Sequence, residues 1–193
     1  SSVETLIQLL RKRVGSPISY SSLAQDLQCS DKTVKSWLTL LENMYILFRV
    51  SPYHKNIARA LLKAPKYYFY DTGQVVGDEG VKLENLTACA LLKEIHYRED
   101  CFGERYDLYY LRTKDGKEID FLVTRDEKPL LMLEVKLTDH TRSPNFDLFA
   151  KYFPETRKIQ IVKDAGREKT FPDGTEIRLA HNWLADLALE ELP

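Results

Sequence analysis

The sequence predicts an α/β protein in two parts, a small helical part closed by a strand hairpin and then a mixed sheet covered by helices. Three observations lead there. Apolar residues recur at helical spacing three times before residue 42. From residue 107 onward, short β-rich runs alternate with turn residues and helical patterns. Between them, DTGQVVGDEG at 71–80 carries three glycines and no long apolar side chain beyond its two valines, which marks a boundary.

The first part covers residues 1–73. VETLIQLLRKRV, 3–14, sets Leu6, Leu9, Leu10 and Val14 on one helical face, and Gly15 stops it. A second helix is expected from about Ser22 to Leu27. The third is capped by Ser30 or Asp31, with Val34, Trp37, Leu38 and Leu41 as its apolar stripe. ILFRV, 46–50, reads as a strand, SPYHKNIAR as a polar and basic tip, and KYYFYD, 66–71, as the returning strand. Helix, helix, turn, helix, hairpin is the order of a winged helix-turn-helix.

The second part covers residues 74–193. LENLTACALLKEIHY, 83–97, is a helix with Leu83, Leu86, Ala90 and Leu91 on one side. Strands are expected at 107–113, 118–124 and 130–137, with Asp115-Gly116 as a tight turn between the first two and DEKP as the second turn. Ser143-Pro144 opens a helix through Phe153, proline suiting the first helical position. KIQIV at 158–162 and TEIRLA at 175–180 are further strands, and Asn182 caps a last helix. The result is a mixed sheet with helical cover.

Composition narrows the function. Hydrophobic residues make up 44% and charged residues 30%, enough apolar material for a core and no signature of disorder. No apolar run approaches the roughly 18–20 residues that cross a bilayer, so no membrane partner is expected. Cys29, Cys89 and Cys101 lie far apart, and the four histidines lack ligand spacing, which argues against a disulfide scaffold or structural zinc and for a reducing, cytoplasmic setting. The net charge of −1 hides an asymmetry. Residues 1–70 hold 10 Lys+Arg against 4 Asp+Glu, and the remainder 18 against 25. A basic N-terminal half suits a polyanion such as DNA, with ordinary surface variation as the alternative.

The candidate chemistry lies in KDGKEIDFLVTRDEKPLLMLEVK, 114–136. Side chains alternate along a strand, so Glu134 and Lys136 share a face while Leu133, Val135 and Leu137 turn to the core. A hairpin turn near Glu127–Pro129 brings the Asp120 strand alongside, and the two carboxylates can then share one divalent ion, Mg²⁺ or Mn²⁺. Such an ion, with a lysine beside it, is what phosphodiester hydrolysis requires. The alternative is a pair of strands with charged, solvated faces.

Asp120, Glu134 and Lys136 resemble the D…(D/E)-x-K signature of the restriction-endonuclease-like, or PD-(D/E)XK, superfamily, with Ile119 where the signature has proline. Together with YYFYDTG (67–73), LEN (83–85), YYLRTKDGKEIDFLV (109–123) and LEVK (133–136), the chain resembles the C-terminal domain of unknown function of prokaryotic AAA-type ATPases. That resemblance implies a winged helix followed by a restriction-endonuclease-like domain, and adds Glu84, on the preceding helix, as a further acidic ligand. It also implies an N-terminal ATPase domain as partner. No G-x-x-x-x-G-K-[ST] loop occurs in this chain, which is expected not to hydrolyse ATP, and the start at Ser1-Ser2 is expected to mark a piece of something longer.

The expected function is therefore a nucleic-acid-processing module, in which Asp120, Glu134 and Glu84 hold Mg²⁺ or Mn²⁺ and Lys136 assists the attacking water. Lys32, Lys35 and Ser36 lie on the outer side of the third helix, and His54 and Lys55 in the wing, as a DNA footprint. The rivals are a non-catalytic DNA- or protein-binding regulatory module with a vestigial nuclease fold, and a transcription-factor-like regulator using the winged helix alone. Trp37 and Trp183 are assigned to the core, Asp71 to a turn, and Arg112 to an undecided face.

Overall fold

The computed structural model describes residues 2–53, 64–138, 141–164 and 166–189. The chain divides into two compact units, residues 1–89 and 90–193. Among the described residues no helix is long and apolar enough to cross a membrane.

The first unit opens with three helices. α1 (Ser2–Arg11) buries Leu6 and Leu10, and Glu4 in its first turn and Arg11 in its last complement the helix dipole. α2 (Tyr20–Asp26) is capped by Ser19, whose hydroxyl accepts from the Ser22 amide. α3 (Asp31–Asn43) is capped by Ser30, accepting from the Thr33 amide at 3.1 Å, and buries Val34, Leu38 and Leu41. Trp37 is half-buried rather than core, because the stripe that packs is Val34, Leu38 and Leu41, a residue away from it.

β1 (Leu47–Pro52) then pairs antiparallel with β2 (Lys66–Phe69), Leu47 opposite Phe69 and Val50 opposite Lys66. All four residues of β2 are buried, including Lys66 at 1% exposure. Asp71 takes the expected turn role: it caps a short 3₁₀ turn, Thr72–Gln74, its carboxylate accepting from the Gly73 amide at 2.8 Å. The tip residues His54, Lys55 and Arg59 lie outside the described residues.

α4 (Glu79–Phe102) is longer than the expected 83–97. Its face also differs from the apolar reading: Leu86 is exposed, while Asn85, Thr87, Ala88 and Leu91 are fully buried. The reason is Asn85. Its side chain accepts from the Phe69 amide at 2.8 Å and donates to the Phe69 carbonyl at 2.9 Å, closing the end of β2 as a neighbouring strand would. Cys89, one turn on, reaches the same carbonyl at 3.1 Å. These bonds tie the start of α4 to β2 within the first unit.

The second unit is a mixed sheet. β3 (Tyr106–Arg112), β4 (Glu118–Arg125) and β5 (Lys128–Lys136) run antiparallel to one another. β6 (Arg157–Val162) and β8 (Glu176–Leu179) continue parallel to β5, and the short β7 (Lys169–Thr170) closes the edge antiparallel to β8. α5 (Asn145–Ala150) connects β5 to β6, and α6 (Ala180–Ala185) follows β8 directly. α6 begins ahead of Asn182, which therefore lies inside the helix instead of capping it, and Trp183 is half-buried.

β4, β5 and β6 form the middle of the sheet. Phe121, Leu122, Val123, Leu131, Met132, Leu133, Ile159 and Ile161 are all fully buried there. Burial on both faces is what a central strand requires. It also runs against the alternative of a charged, solvated face at Glu134, which is only 2% exposed. Val135 and Leu137, expected inside, are half-buried, because β5 is leaving the sheet's covered centre at that end.

Candidate functional site

The β4–β5 hairpin turns on Asp126 and Glu127, both at positive φ (48° and 66°), which is the backbone of a two-residue type I′ turn. Arg125 pairs with Lys128 and Thr124 with Pro129, after which the register slips so that Val123 pairs with Leu131 and Phe121 with Leu133. A one-residue slip moves every following side chain to the other face. Continued past Phe121, the slipped register sets Asp120 against Glu134, on one face. Without the bulge, Asp120 would face Leu133.

The contacts agree with that placement. Asp120 Oδ2 accepts from the Val135 amide at 2.8 Å. Lys136 Nζ lies 3.0 Å from Glu134 Oε2, with its side chain 40% exposed. Asp120, Glu134, Lys136, Ser143 and Asn145, together with Gly116 and Lys117 of the β3–β4 turn, line one open cleft of about 420 Å³.

A carboxylate as buried as Glu134 demands partners. Besides Lys136, among the described residues Ser143 Oγ donates to Oε1 at 2.9 Å, and Asn145 Nδ2 at 3.1 Å. Asn145 also donates to the Glu118 carbonyl at 2.8 Å, so it ties the start of β4 to the end of β5. Behind them, Gln160 of β6 is fully buried; its Oε1 accepts from the Ser143 amide and its Nε2 donates to the Thr141 carbonyl, both at 2.9 Å. Glu134 and Gln160 are direct register partners.

Ser143, Asn145 and Gln160 are absent from the sequence-based site. Ser143 reads there only as a helix start, and Asn145 is not singled out. Gln160 did carry a signal: a lone amide in the buried-type run KIQIV must find partners for both ends.

The remaining candidates lie as follows. Glu84 belongs to the first unit, where its Oε1 accepts from Tyr68 Oη at 2.7 Å and has Lys66 Nζ at 3.5 Å. A Cβ at Gly15 would meet those carboxylate oxygens at 2.7 and 2.8 Å, so glycine there accommodates Glu84 as well as the turn. Lys32, Lys35 and Ser36 are exposed on α3, with Lys35 Nζ 5.3 Å from the Tyr20 ring centre. His54 and Lys55 lie outside the described residues. Arg112 pairs with Glu118 at 2.7 Å. Among the described residues no three His, Cys, Asp or Glu side chains cluster as a metal cage. Of the three carboxylates lining the cleft, Glu118 is paired with Arg112, while Asp120 and Glu134 supply hard oxygen ligands of the kind that hold Mg²⁺ when water and substrate phosphate complete its shell, beside the ammoniums of Lys117 and Lys136.

Two family models match the chain. The family described as Domain of unknown function (DUF8612) matches residues 1–77, and that described as Domain of unknown function (DUF4143) matches residues 79–179. A Haemophilus influenzae protein, described as an uncharacterized protein, is 25% identical over 195 residues, an alignment covering 94% of this chain and 45% of that protein. The chain thus spans less than half the length of that relative. No solved structure matches.

Proposed function

We propose a function from one premise: the chain belongs to the DUF4143 family. The reading supported best is a nucleic-acid-associated module with a divalent-metal-dependent nuclease site in its second unit and a winged-helix DNA-binding region in its first. The observation that carries it is the convergence of Asp120, Glu134 and Lys136 on one cleft, with a register slip that sets the two carboxylates on one face. Asp120 and Glu134 would hold Mg²⁺ or Mn²⁺, which when bound polarises a phosphoryl oxygen and acidifies water. Lys136, half exposed beside Glu134, presents an ammonium to a water or to a phosphate oxygen. Ser143 and Asn145 hold Glu134 in place.

The helix, helix, turn, helix and hairpin order of the first unit, with Lys32, Lys35 and Ser36 exposed on α3, supports the DNA-binding part. The greater length of the Haemophilus influenzae relative leaves room for the ATPase domain that the family resemblance implies. A second reading, a binding module with a vestigial site, draws on the absence, among the described residues, of three His, Cys, Asp or Glu side chains placed to hold one metal ion.

Cleavage of plasmid, linear duplex and single-stranded DNA, and of RNA, in Mg²⁺ and in Mn²⁺ separates the two. Cleavage by the native chain and its loss in a Glu134→Ala, Lys136→Ala double variant is the expected result. Folded native protein that cuts none of these, yet binds DNA with a salt dependence that falls in Lys32→Ala, Lys35→Ala, establishes the second reading.

A further inference from the structure

We propose that Gln160 is the positioning residue of the site: through the 141–145 segment it fixes the carboxylate of Glu134 in the orientation that binds a divalent cation. This rests on the metal reading above for the cation, and on geometry alone for the positioning. Gln160 touches the segment at two points, accepting from the Ser143 amide and donating to the Thr141 carbonyl, so the backbone on either side of Arg142 is pinned by one side chain. The pinned segment carries the two neutral donors to Glu134 Oε1, Ser143 Oγ and Asn145 Nδ2. With Oε1 taking both, and Lys136 on Oε2, the carboxylate has one rotational setting, and its remaining lone pair lies on Oε2.

The alternatives for holding this segment are weaker. Arg142 reaches Asp147 at 2.6 and 2.8 Å and Asp173 at 3.1 Å, but that fork is a partly exposed ion-pair cluster which water can replace. Gln160 is fully buried, and its removal would take from the Ser143 amide the acceptor it bonds and from the Thr141 carbonyl a buried donor. Ser143 and Asn145 hydrogen-bond the ligand directly, the arrangement by which outer groups tune metal affinity, commonly by roughly 10–100-fold, and Gln160 acts on that pair through the segment that carries them.

The test uses the whole chain with ¹³C-labelled glutamate, in Gln160→Leu, Ser143→Ala and the double variant, with Ile177→Val in β8 as a control for general destabilisation. Two quantities are read: the Glu134 carboxyl resonance in metal-free protein, identified by its absence in Glu134→Gln, and Mn²⁺ affinity by water proton relaxation. The expected result is a displaced Glu134 resonance and Mn²⁺ affinity reduced about tenfold or more in Gln160→Leu. Ser143→Ala moves both in the same direction, the double variant adds little, and Ile177→Val changes neither. An unmoved Glu134 resonance in folded Gln160→Leu overturns the proposal. Should that variant not fold, an unmoved resonance in Ser143→Ala overturns it instead. A displaced resonance in Gln160→Leu, with a native chain that binds no Mn²⁺, leaves the positioning intact and removes the metal reading.

Discussion

At Asn85 one side chain does the work of a strand edge. It supplies both partners for the buried Phe69 peptide and adds a bond to Thr72 Oγ1 at 2.9 Å. Truncation leaves the buried Phe69 N–H unsatisfied, at about 1–3 kcal/mol, and its carbonyl with the Cys89 thiol alone. Asn85→Ala should therefore lower stability by on the order of 3 kcal/mol, while Leu86→Ala, one residue away and exposed, should change it by less than about 0.5 kcal/mol. Urea unfolding of the two variants checks this. An equal effect from both would mean that the helix is held by its apolar stripe, as the sequence pattern suggests. Glu134 obeys the same rule in the second unit, where its burial is tolerable because Lys136, Ser143 and Asn145 all reach it.

At the scale of the element, the β4–β5 hairpin sets the site. Asp126 and Glu127 both occupy the left-handed region without being glycine. A non-glycine residue there costs about 1 kcal/mol or more, with aspartate and asparagine the best tolerated. Asp126→Asn with Glu127→Gly, the preferred pair for this turn, should stabilise the protein by about 1 kcal/mol. The lost contact between Glu127 and Arg105, 3.6 Å apart and exposed, offsets little of it. A rise in the urea midpoint at unchanged slope is the expected reading; a fall would show that the turn is not under strain. The turn alone does not place the carboxylates. The register slip between Val123 and Thr124 does, by moving Asp120 onto the face of Glu134.

For the molecule as a whole, acid sensitivity concentrates in the second unit. Burial pushes Asp173 up, but the Thr175 hydroxyl and amide and the Lys158 ammonium outweigh it and hold its carboxyl at about 2. Glu176, likewise raised by burial, is brought below the usual range by Arg157 and Arg178. Asp147 is lowered chiefly by its bonds from Arg142, and Glu168 chiefly by the Leu179 amide. A carboxyl whose folded value lies below its unfolded one stabilises the fold fully above the ordinary carboxylate range, near 4, and loses that contribution as pH falls toward the folded value. Stability of this unit should be flat from about pH 7 to 5.5 and decline between about pH 4.5 and 2. Asp173→Asn should be less stable than the native chain at pH 7 and lose less on acidification. Denaturant midpoints at pH 7, 4.5 and 3 measure both, and parallel declines for the two proteins would remove Asp173 from the account.

The sequence by itself determined the order of the elements. Leu6, Leu10, Val34, Leu38 and Leu41 announce their helices because local spacing alone decides which face a helix can bury. The β-rich runs and their turns are legible for the same reason, and so are Asp120, Glu134 and Lys136 as a set, since residue type and alternation are local properties. What only the tertiary structure decided is everything that depends on a second element. Glu134 is buried because β5 lies between β4 and β6. Asn85 and not Leu86 faces inward because a strand end needed closing. Ser143, Asn145 and Gln160 join the site because a connecting segment returns across it. Burial and hydrogen-bond partnership are pairwise quantities between residues distant in the chain, and no periodicity within one segment encodes them.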